Sequence, residues 1–546
     1  MRYLEYLPYT HHFILCLKDS PVKSSKCLSV ILLALATVLV QDVFAQPSVP
    51  PGLDAYVERV RKQFEVPGIS LTVVKDGKVV LSRGFGIKKK GLQDAVDAGT
   101  VFAIASNTKA FTATALALLV EQGKIEWDEP VIRYLPWFRL SDPYVTAELT
   151  VRDLLVHRSG LGLGAGDLLI WPGTDLNQRA IVQRLANVPL STSFRSRYAY
   201  DNVLYLVAGE LIEAVSGQNW HDFVKTRILD KLDMRETGVR HSDIGRLPNV
   251  ASAHARVEGA VRPVNPFLSD NSDAAGGIVT NARDIAKWLI VQLDSGRTAA
   301  GTRLFEPSTT QELWSVVTPM AVAAPPPELK ALRSNFAGYG LGFGLRDYRG
   351  FKLVSHTGSL SGFVSRIAMI PELRLGVAVF TNQESEEAYM SLTCHVLDYY
   401  IGAEKTDWIG GFARYRARSD SLLAARERQT ASKRDSLSRP SLPPDKYAGD
   451  YEDVWYGTVS IAKEGRGLVM RFSHSPGMVG DLEHWQYDTF VVRWRDRELR
   501  ADAFVTFALT VEGTIDRATM KAVSPATDFS FDFQDLLLKP APAWRK

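Results

Sequence analysis

The sequence predicts an α/β sandwich, in which one antiparallel sheet lies beside a helical subdomain, followed by a small all-β, barrel-like domain. Two strand-like runs, Ile69 to Lys75 and Lys78 to Gly84, stand near the start of the chain. Two more, Ser365 to Ile370 and Leu375 to Thr381, follow a long helix-rich middle. Strands at both ends of a helical segment predict one sheet built from distant parts of the chain. Beyond Lys446, short alternating runs predict the second domain.

The elements of the first domain follow from periodicity and turn signals. Apolar residues recur with helical spacing from Leu53 to Glu65. Asp76-Gly77 then separates the first two strands, and this dipeptide is a strong signal for a hairpin turn. The helix-rich middle extends to about Trp288, and Pro371-Glu372 marks the turn between the later two strands. A terminal helix is expected from about Glu386 to Tyr400.

A change of composition separates the two predicted domains. Between Arg414 and Pro444 the chain is rich in basic residues, serine and alanine, and it ends in prolines. This composition predicts a charged helix followed by a stiff linker. A nucleic-acid role for its arginines is the alternative, but a solvated helical face is the commoner meaning of such charge. The predicted organisation is a leader over 1–45, a first domain over 46–412, the helix and linker over 413–444, and the β-domain over 445–546.

Length and charge exclude several classes of protein. The chain has 546 residues, of which 46% are hydrophobic, so it is long and apolar enough for two or three domains with large cores. Its 64 basic and 61 acidic residues give a formal net charge of only +3. Since neither half of the chain is strongly basic, nucleic acid is not an expected partner.

The N-terminus has the pattern of a secretory signal peptide. Two lysines precede an apolar run from Leu28 to Val40, and Val43 to Ala45 form a small-residue cleavage signal. We expect the mature protein to begin near Gln46 and to lie in the periplasm or outside the cell, with no stable membrane span after cleavage. An uncleaved membrane anchor is the alternative. The residues before Val22 are not needed for such a signal, which gives the hypothesis that translation starts there.

Cysteine usage agrees with export without disulfide bonds. Cys16 and Cys27 lie in or before the predicted signal, so Cys394 is the one cysteine of the mature chain. A single thiol cannot form an internal bridge. Cys394 lies in an apolar stretch and is expected to be a core residue.

The first chemical motif is Ser106-Asn107-Thr108-Lys109. The S-x-x-K spacing alone is weak, because Ser20 to Lys23 and Ser460 to Lys463 share it. The middle copy stands out because a strongly apolar helical run, Lys109 to Glu121, follows it. Ser106 is therefore expected at a helix N-terminus, with Lys109 one turn later on the same face. Burial would lower the pKa of that lysine and let it accept a proton from the serine; a serine cap with a solvent-reaching lysine is the alternative.

Two further motifs follow in order along the chain. Tyr200-Asp201-Asn202 precedes a helical run, Val203 to Ala214, and His356-Thr357-Gly358-Ser359 follows a strand-like run, Phe351 to Val354. The order S-x-x-K, Y-x-N and K/H-T-G resembles the serine β-lactamases and penicillin-binding proteins. The segments Leu149 to Leu161, Ala274 to Trp288 and Gly338 to Gly344 are similar to the class C-like branch, and the chain from Lys446 resembles a small lipocalin-like domain.

This resemblance implies a β-lactamase/transpeptidase-like sandwich and a set of catalytic roles. Ser106 would attack a carbonyl group and form an acyl-enzyme. Lys109 and Tyr200 would share proton transfer, with Tyr200 activating the hydrolytic water. Asn202 would hold the substrate amide and orient Lys109. The N–H groups of Ser106 and Ser359 would form the oxyanion hole.

The third motif would line the strand along which substrate lies, through His356, Thr357 and Gly358. Active β-lactamases usually have lysine in place of His356, and a histidine is mostly uncharged at neutral pH. Attraction for the carboxylate of a β-lactam, or of a peptide that ends in D-alanine, should therefore be weaker. Asp201 stands where the family often has serine. Both departures favour the branch that resembles D-amino-acid peptidases and esterases.

The resulting prediction is an exported serine hydrolase that cleaves amide or ester bonds of a small molecule or peptide, whether D-amino-acid peptide, ester or β-lactam. The alternatives are a class C β-lactamase proper and a non-catalytic cell-wall or ligand-binding protein. His157 is expected to be a structural hydrogen-bonding residue. No metal site and no cofactor are predicted, since no corresponding motif is present. The sequence leaves the oligomeric state open.

Overall fold

The main sheet of the first domain joins strands from both ends of that domain. The computed structural model describes residues 49–266 and 269–542, so the predicted leader lies outside the described residues. The sheet has eight strands in the order β2-β1-β12-β11-β10-β9-β8-β7, and the pairs β3-β6 and β4-β5 form two small sheets. The strands are β1 (Gly68–Lys75), β2 (Lys78–Gly86), β3 (Phe102–Ala103), β4 (His254–Val257), β5 (Ala260–Pro263), β6 (Val279–Thr280), β7 (Thr318–Pro319), β8 (Ala337–Tyr339), β9 (Gly344–Tyr348), β10 (Phe351–Leu360), β11 (Phe363–Ile370) and β12 (Leu375–Thr381).

The pairing of β1 with β12 confirms the sheet predicted from the sequence. Ile69 is paired with Thr381 and Lys75 with Leu375 in antiparallel register. Asp76 and Gly77 both have positive φ, 52° and 72°, as the predicted two-residue hairpin turn requires. Both faces of β1 are buried because helices cover the sheet on its two sides, which explains why its sequence is a continuous apolar run rather than an alternating one.

Helices fill the middle of the domain, as predicted. The helix Thr108–Glu121 is the central one, and nearly all of its side chains are buried. The α-helices in the described chain are Leu53–Gln63, Thr108–Glu121, Val131–Tyr134, Pro143–Glu148, Gln178–Arg184, Val203–Ser216, Trp220–Val224, Asp273–Gly276, Ala282–Leu293, Pro307–Leu313, Glu386–Ile401 and Trp408–Ser432. In the described residues, no helix is both long and apolar enough to cross a bilayer.

The charged helix begins earlier than its composition indicates. It spans Trp408–Ser432, because Asp407 caps its first turn by accepting a hydrogen bond from the Gly410 N–H. Trp408 and Phe412, near its start, are buried against the first domain. Its later residues are mostly exposed, which agrees with the expected solvated face.

The C-terminal β-domain is a closed eight-stranded barrel with an aromatic core. Strands follow each other around it in chain order, and β13 closes the barrel against β20. Trp455, Tyr456 and Trp494 are among its fully buried side chains. Its strands are β13 (Gly449–Asp453), β14 (Gly457–Glu464), β15 (Gly467–Phe472), β16 (Val479–Gln486), β17 (Thr489–Trp494), β18 (Ala503–Leu509), β19 (Ile515–Ala522) and β20 (Leu537–Pro540).

The barrel is docked on the helical part of the first domain through polar contacts. The Arg184 guanidinium donates to the carbonyl oxygens of Trp455 and Tyr456, each at 3.0 Å. A second contact joins His474 Nδ1 of the barrel to Asp175 Oδ1 at 2.8 Å. The segment between β19 and β20 also reaches the first domain, and it contributes to the cavity described below.

Candidate active site

Ser106 lies in a tight turn at the N-terminus of the central helix, as the sequence predicts. A 3₁₀ turn, Ala105–Asn107, leads directly into Thr108–Glu121. Ala105 has a φ of 46°, a strained conformation for a residue with a side chain, and such strain is common next to reactive groups. Asn107 anchors the turn to the sheet by donating from Nδ2 to Ser365 Oγ over 2.7 Å.

Lys109 is completely buried and its amine contacts Ser106. Nζ lies 3.2 Å from Ser106 Oγ, 2.7 Å from Asn202 Oδ1 and 3.1 Å from the Ala275 carbonyl oxygen. Burial lowers the pKa of Lys109 to about 7, although the negative charges of Asp167 and Asp201 act to raise it. The alternative of a solvent-reaching lysine is therefore wrong. At pH values near 7 a large fraction of the Lys109 amine is therefore uncharged, and the uncharged amine can accept the serine proton.

Tyr200 and Asn202 surround the same amine. The Tyr200 ring centroid lies 4.9 Å from Lys109 Nζ. Burial raises the pKa of Tyr200 well above its ordinary value, while a hydrogen bond with Ser106 acts in the opposite direction. The free site therefore holds Tyr200 as a neutral phenol, which can pass a proton on but is not a standing base. Asn202 donates from Nδ2 to Asp167 Oδ2 over 2.8 Å, so its carbonyl oxygen faces Lys109.

The third motif lies on β10 beside the nucleophile turn. Thr357 and Ser359 are exposed to the cavity, whereas Gly358 is buried against the turn. A Cβ atom on Gly358 would lie 2.0 Å from the Ile104 carbonyl oxygen, so only glycine allows the strand to approach this closely. The register pairs β9 with β10 only as far as Ser355. In the part of the chain that the structure describes, the edge of His356 to Leu360 opposite β11 is unpaired.

His356 is held as a neutral imidazole. Nδ1 lies 2.6 Å from the Thr357 carbonyl oxygen, which can only accept, so Nδ1 carries the proton of the neutral ring. Nε2 then accepts from the Tyr339 hydroxyl over 2.7 Å. Burial and the charge of Lys109 lower the pKa of His356 to about 3. The imidazole therefore carries no positive charge at neutral pH.

The predicted site residues meet in one cavity of about 500 Å³. Lys109 and Gly358 form the layer behind it, where they contact Ser106 and the Ile104 carbonyl group. The predicted residues that line the cavity are Ser106, Tyr200, Asn202, His356, Thr357 and Ser359.

Sequence reasoning missed several residues of the site. Asp167 follows directly on alternating glycines at positions 160, 162, 164 and 166, a pattern that by itself indicates a loop, and Tyr339 lies within the glycine-rich segment at 338–344. Glu386 and Asp528 place two carboxylates on the cavity wall, and burial raises the pKa of both. Asp528 comes from the barrel, which no local motif associates with the site.

Other candidates have structural roles or lie elsewhere. His157 is buried and accepts a hydrogen bond from the Asp201 N–H at 3.2 Å, which agrees with its expected structural role. Cys394 is buried in the core, as predicted, and burial raises the pKa of its thiol to about 12. The copy Ser460 to Lys463 lies on barrel strand β14. Within residues 49–266 and 269–542, no group of histidine, cysteine and carboxylate side chains could hold a metal ion.

Comparison with known proteins places this geometry in a family. The Beta-lactamase family model matches residues 53–393, and a model described as a domain of unknown function matches residues 433–540. An unguisins hydrolase of Aspergillus violaceofuscus is 28% identical over 428 residues, 73% of this chain and 74% of that protein. Penicillin-binding protein 4 of Amycolatopsis lactamdurans is 27% identical over 335 residues, 60% of this chain and 83% of that protein.

Solved structures share the fold. An octameric penicillin-binding protein homologue from Pyrococcus abyssi superimposes with a TM-score of 0.57 at 21% identity, covering 89% of this chain and 99% of that one. A D-amino acid amidase from Ochrobactrum anthropi SV3, complexed with D-phenylalanine, gives a TM-score of 0.51 at 25% identity, covering 64% and 97%. The chain therefore belongs to the Beta-lactamase family and is a serine hydrolase of the β-lactamase and penicillin-binding-protein fold with a C-terminal β-barrel.

Proposed function

We propose that this chain is an exported amide hydrolase that forms an acyl-enzyme on Ser106 and acts on amides or peptides of D-amino acids. The uncharged third motif is the observation that carries the substrate class. His356 has both ring nitrogens engaged, by Tyr339 and by the Thr357 carbonyl group. A substrate carboxylate therefore finds no cation at the position where β-lactamases usually present lysine.

The charges on the cavity wall support the same choice. Glu386 and Asp528 line the cavity, and burial raises the pKa of each carboxyl group. A substrate anion would be repelled by these groups, whereas the ammonium group of an amino-acid amide would favour their ionised form. Arg346 also lines the cavity, but its guanidinium donates to Ser334 Oγ and the Leu332 carbonyl oxygen. The D-amino acid amidase that shares the fold agrees with an amide substrate, and the unguisins hydrolase agrees with a hydrolytic reaction.

The reaction uses the residues around Ser106 in two steps. Ser106 Oγ attacks the amide carbonyl carbon while its proton passes to neutral Lys109 Nζ, 3.2 Å away. The C–N bond then breaks, and the leaving amine takes that proton through Lys109 or Tyr200. Water attacks the resulting ester, gives its proton to the same pair, and releases the acid with Ser106 restored. The N–H groups of Ser106 and Ser359 remain the predicted oxyanion hole.

A substrate panel tests this proposal. D-phenylalanine amide, its L enantiomer, N-acetyl-D-phenylalanine amide and a chromogenic cephalosporin are compared, with Ser106→Ala as the control. We expect turnover of the free D-amide, lost in Ser106→Ala and reduced at least about tenfold by acetylation or inversion, the scale of one lost charge-assisted hydrogen bond. Rapid cephalosporin turnover without amide turnover would instead identify a class C β-lactamase. Absence of turnover and of any Ser106 adduct would favour the non-catalytic alternative.

Export is the second part of the proposal. The lysines, the apolar run Leu28 to Val40 and the signal at Val43 to Ala45 support a cleaved leader. N-terminal sequencing of the protein recovered outside the inner membrane should start near Gln46. Recovery of a protein that retains the apolar run would support the membrane-anchor alternative.

A further inference from the structure

A segment of the barrel is inserted beside the candidate nucleophile. It connects β19 to β20, and Phe529 and Ser530 within it line the cavity that contains Ser106. The Tyr200 and Phe529 rings meet edge to face, with centroids 6.0 Å apart. A Cβ atom on Gly164 would lie 2.8 Å from the Phe529 carbonyl oxygen, so this glycine permits the approach of the two backbones.

Asp532 fixes this segment to the first domain. Its two carboxylate oxygens accept the Gly166 N–H at 2.6 Å and the Leu168 N–H at 3.2 Å. These two amides belong to the residues directly before and after Asp167, so Asp532 holds the backbone on both sides of Asp167. Asp167 and Asp532 are both fully buried, and burial raises the pKa of both carboxyl groups, that of Asp167 to about 7. The hydrogen bonds donated to each of them act in the opposite direction and favour the ionised form.

A continuous chain of hydrogen bonds joins the barrel to the lysine. Ser530 donates from Oγ to Asp167 Oδ2 over 2.9 Å. The same oxygen accepts Asn202 Nδ2 at 2.8 Å, and Asn202 Oδ1 accepts Lys109 Nζ at 2.7 Å. Asp167 offers acceptors alone when ionised, so it fixes which end of the Asn202 amide faces Lys109.

We propose that Asp167 and the barrel residues Ser530 and Asp532 are positioning residues, through which the C-terminal barrel holds Asn202 and Lys109 in the orientation that activates Ser106. This inference rests on the nucleophile and base of the proposed function. It gives the barrel a part in the chemistry of a site whose three sequence motifs all lie in the other domain. Displacement of a reacting group by about 1 Å costs about a hundredfold in rate, so such support is measurable.

The first test compares two serine-to-alanine variants of the barrel in the full chain. Ser530→Ala removes the bond to Asp167, whereas the control Ser475→Ala removes a buried hydroxyl paired at 2.9 Å with Tyr456 inside the barrel. The readout is the rate at which a fluorophosphonate labels Ser106, followed by intact mass. We expect labelling about tenfold slower in Ser530→Ala, as for one hydrogen bond to a charged group, and unchanged in Ser475→Ala. Equal rates in the two variants would overturn the proposal.

The second test separates a positioning role from a merely structural one. Asp167→Asn keeps an oxygen that can accept from both Ser530 and Asn202. The negative charge of Asp167 raises the pKa of Lys109, so removing this charge should lower that pKa. The groups that face this amine are Asp167, Asp201, Tyr200, Tyr205, His157 and His356. Fluorophosphonate should therefore label Asp167→Asn at most of the maximal wild-type rate, and the acid limb of the pH profile should move to lower pH. Asp167→Ala should lose about a hundredfold in rate.

These outcomes are independent of the physiological substrate. A folded Asp167→Asn variant with an unmoved acid limb, or with a loss as large as that of Asp167→Ala, would contradict the assignment. If wild type is labelled at Ser106 but does not hydrolyse the D-amide, the substrate proposal fails, while the labelling rates of the variants still test the positioning role. If Ser106 is not labelled at all, the proposed nucleophile itself fails.

Discussion

The Tyr339 hydroxyl lies 2.7 Å from His356 Nε2 and donates a hydrogen bond to it. Since Nδ1 of the same ring donates to the Thr357 carbonyl group, Nε2 of the neutral imidazole is left to accept the Tyr339 hydroxyl proton. Burial and the charge of Lys109 lower the pKa of this ring to about 3. The third motif of this hydrolase is therefore uncharged near neutral pH at the position of His356.

Replacing His356 by lysine should restore attraction for a β-lactam carboxylate. We expect His356→Lys to be acylated by a penicillin at least about tenfold faster than wild type, the scale of one charge-assisted hydrogen bond. The matched neutral control His356→Gln should show no such gain. The rate of adduct formation by mass spectrometry measures both, and equal rates in the two variants would contradict the assigned role of the charge.

Activity should rise with pH through the pKa of Lys109. Burial lowers the pKa of this amine to about 7, and only the neutral form, present above that pKa, can accept the Ser106 proton. The profile of kcat/KM should therefore have an acid limb near neutrality. His356, with a pKa lowered to about 3, should add no limb near neutrality. A profile that stays flat through neutrality would show that Lys109 is not the base.

Gly358→Ala should damage the site more than the fold. Its new methyl group would meet the Ile104 carbonyl oxygen at 2.0 Å and Ser365 Oγ at 2.5 Å, which would push β10 away from the nucleophile turn. We expect a loss of about a hundredfold in kcat/KM, with a destabilisation of about 1–3 kcal/mol. Gly477→Ala is the control, because its Cβ would meet nothing within 4 Å. Activity and thermal unfolding of both variants test this, and near-normal kinetics in Gly358→Ala would refute the tight packing of strand and turn.

Cys394 should be inert in the folded protein. It is buried, and its thiol pKa is raised to about 12, so the reactive thiolate is scarce at neutral pH. Iodoacetamide should modify it only after unfolding in denaturant. Rapid alkylation of the native protein, followed by intact mass, would contradict the core position.

Local sequence patterns predict the part of the site that is local in the chain. Ser106 and Lys109 are one helical turn apart, and Tyr200 and Asn202 lie directly before another helix, so spacing alone brings each pair together. The apolar runs of β1 and β12 likewise predict the central sheet. The contact of Ser530 with Asp167 spans 363 residues and depends on how the barrel docks, which no periodicity encodes. The charged helix starts earlier in the structure than its composition predicts, because Trp408 and Phe412 in its first turns are apolar and resemble the core segment before them.

The most direct test of the account is the intact mass of the mature chain after incubation with a fluorophosphonate, beside Ser106→Ala. The fully buried Lys109 places Nζ 3.2 Å from Ser106 Oγ, and Ser106 lines the cavity, so we expect one adduct on wild type, at Ser106, and none on the variant. A folded wild-type protein that gains no mass, or a Ser106→Ala variant that is labelled equally, would contradict the assignment of Ser106 as the activated nucleophile.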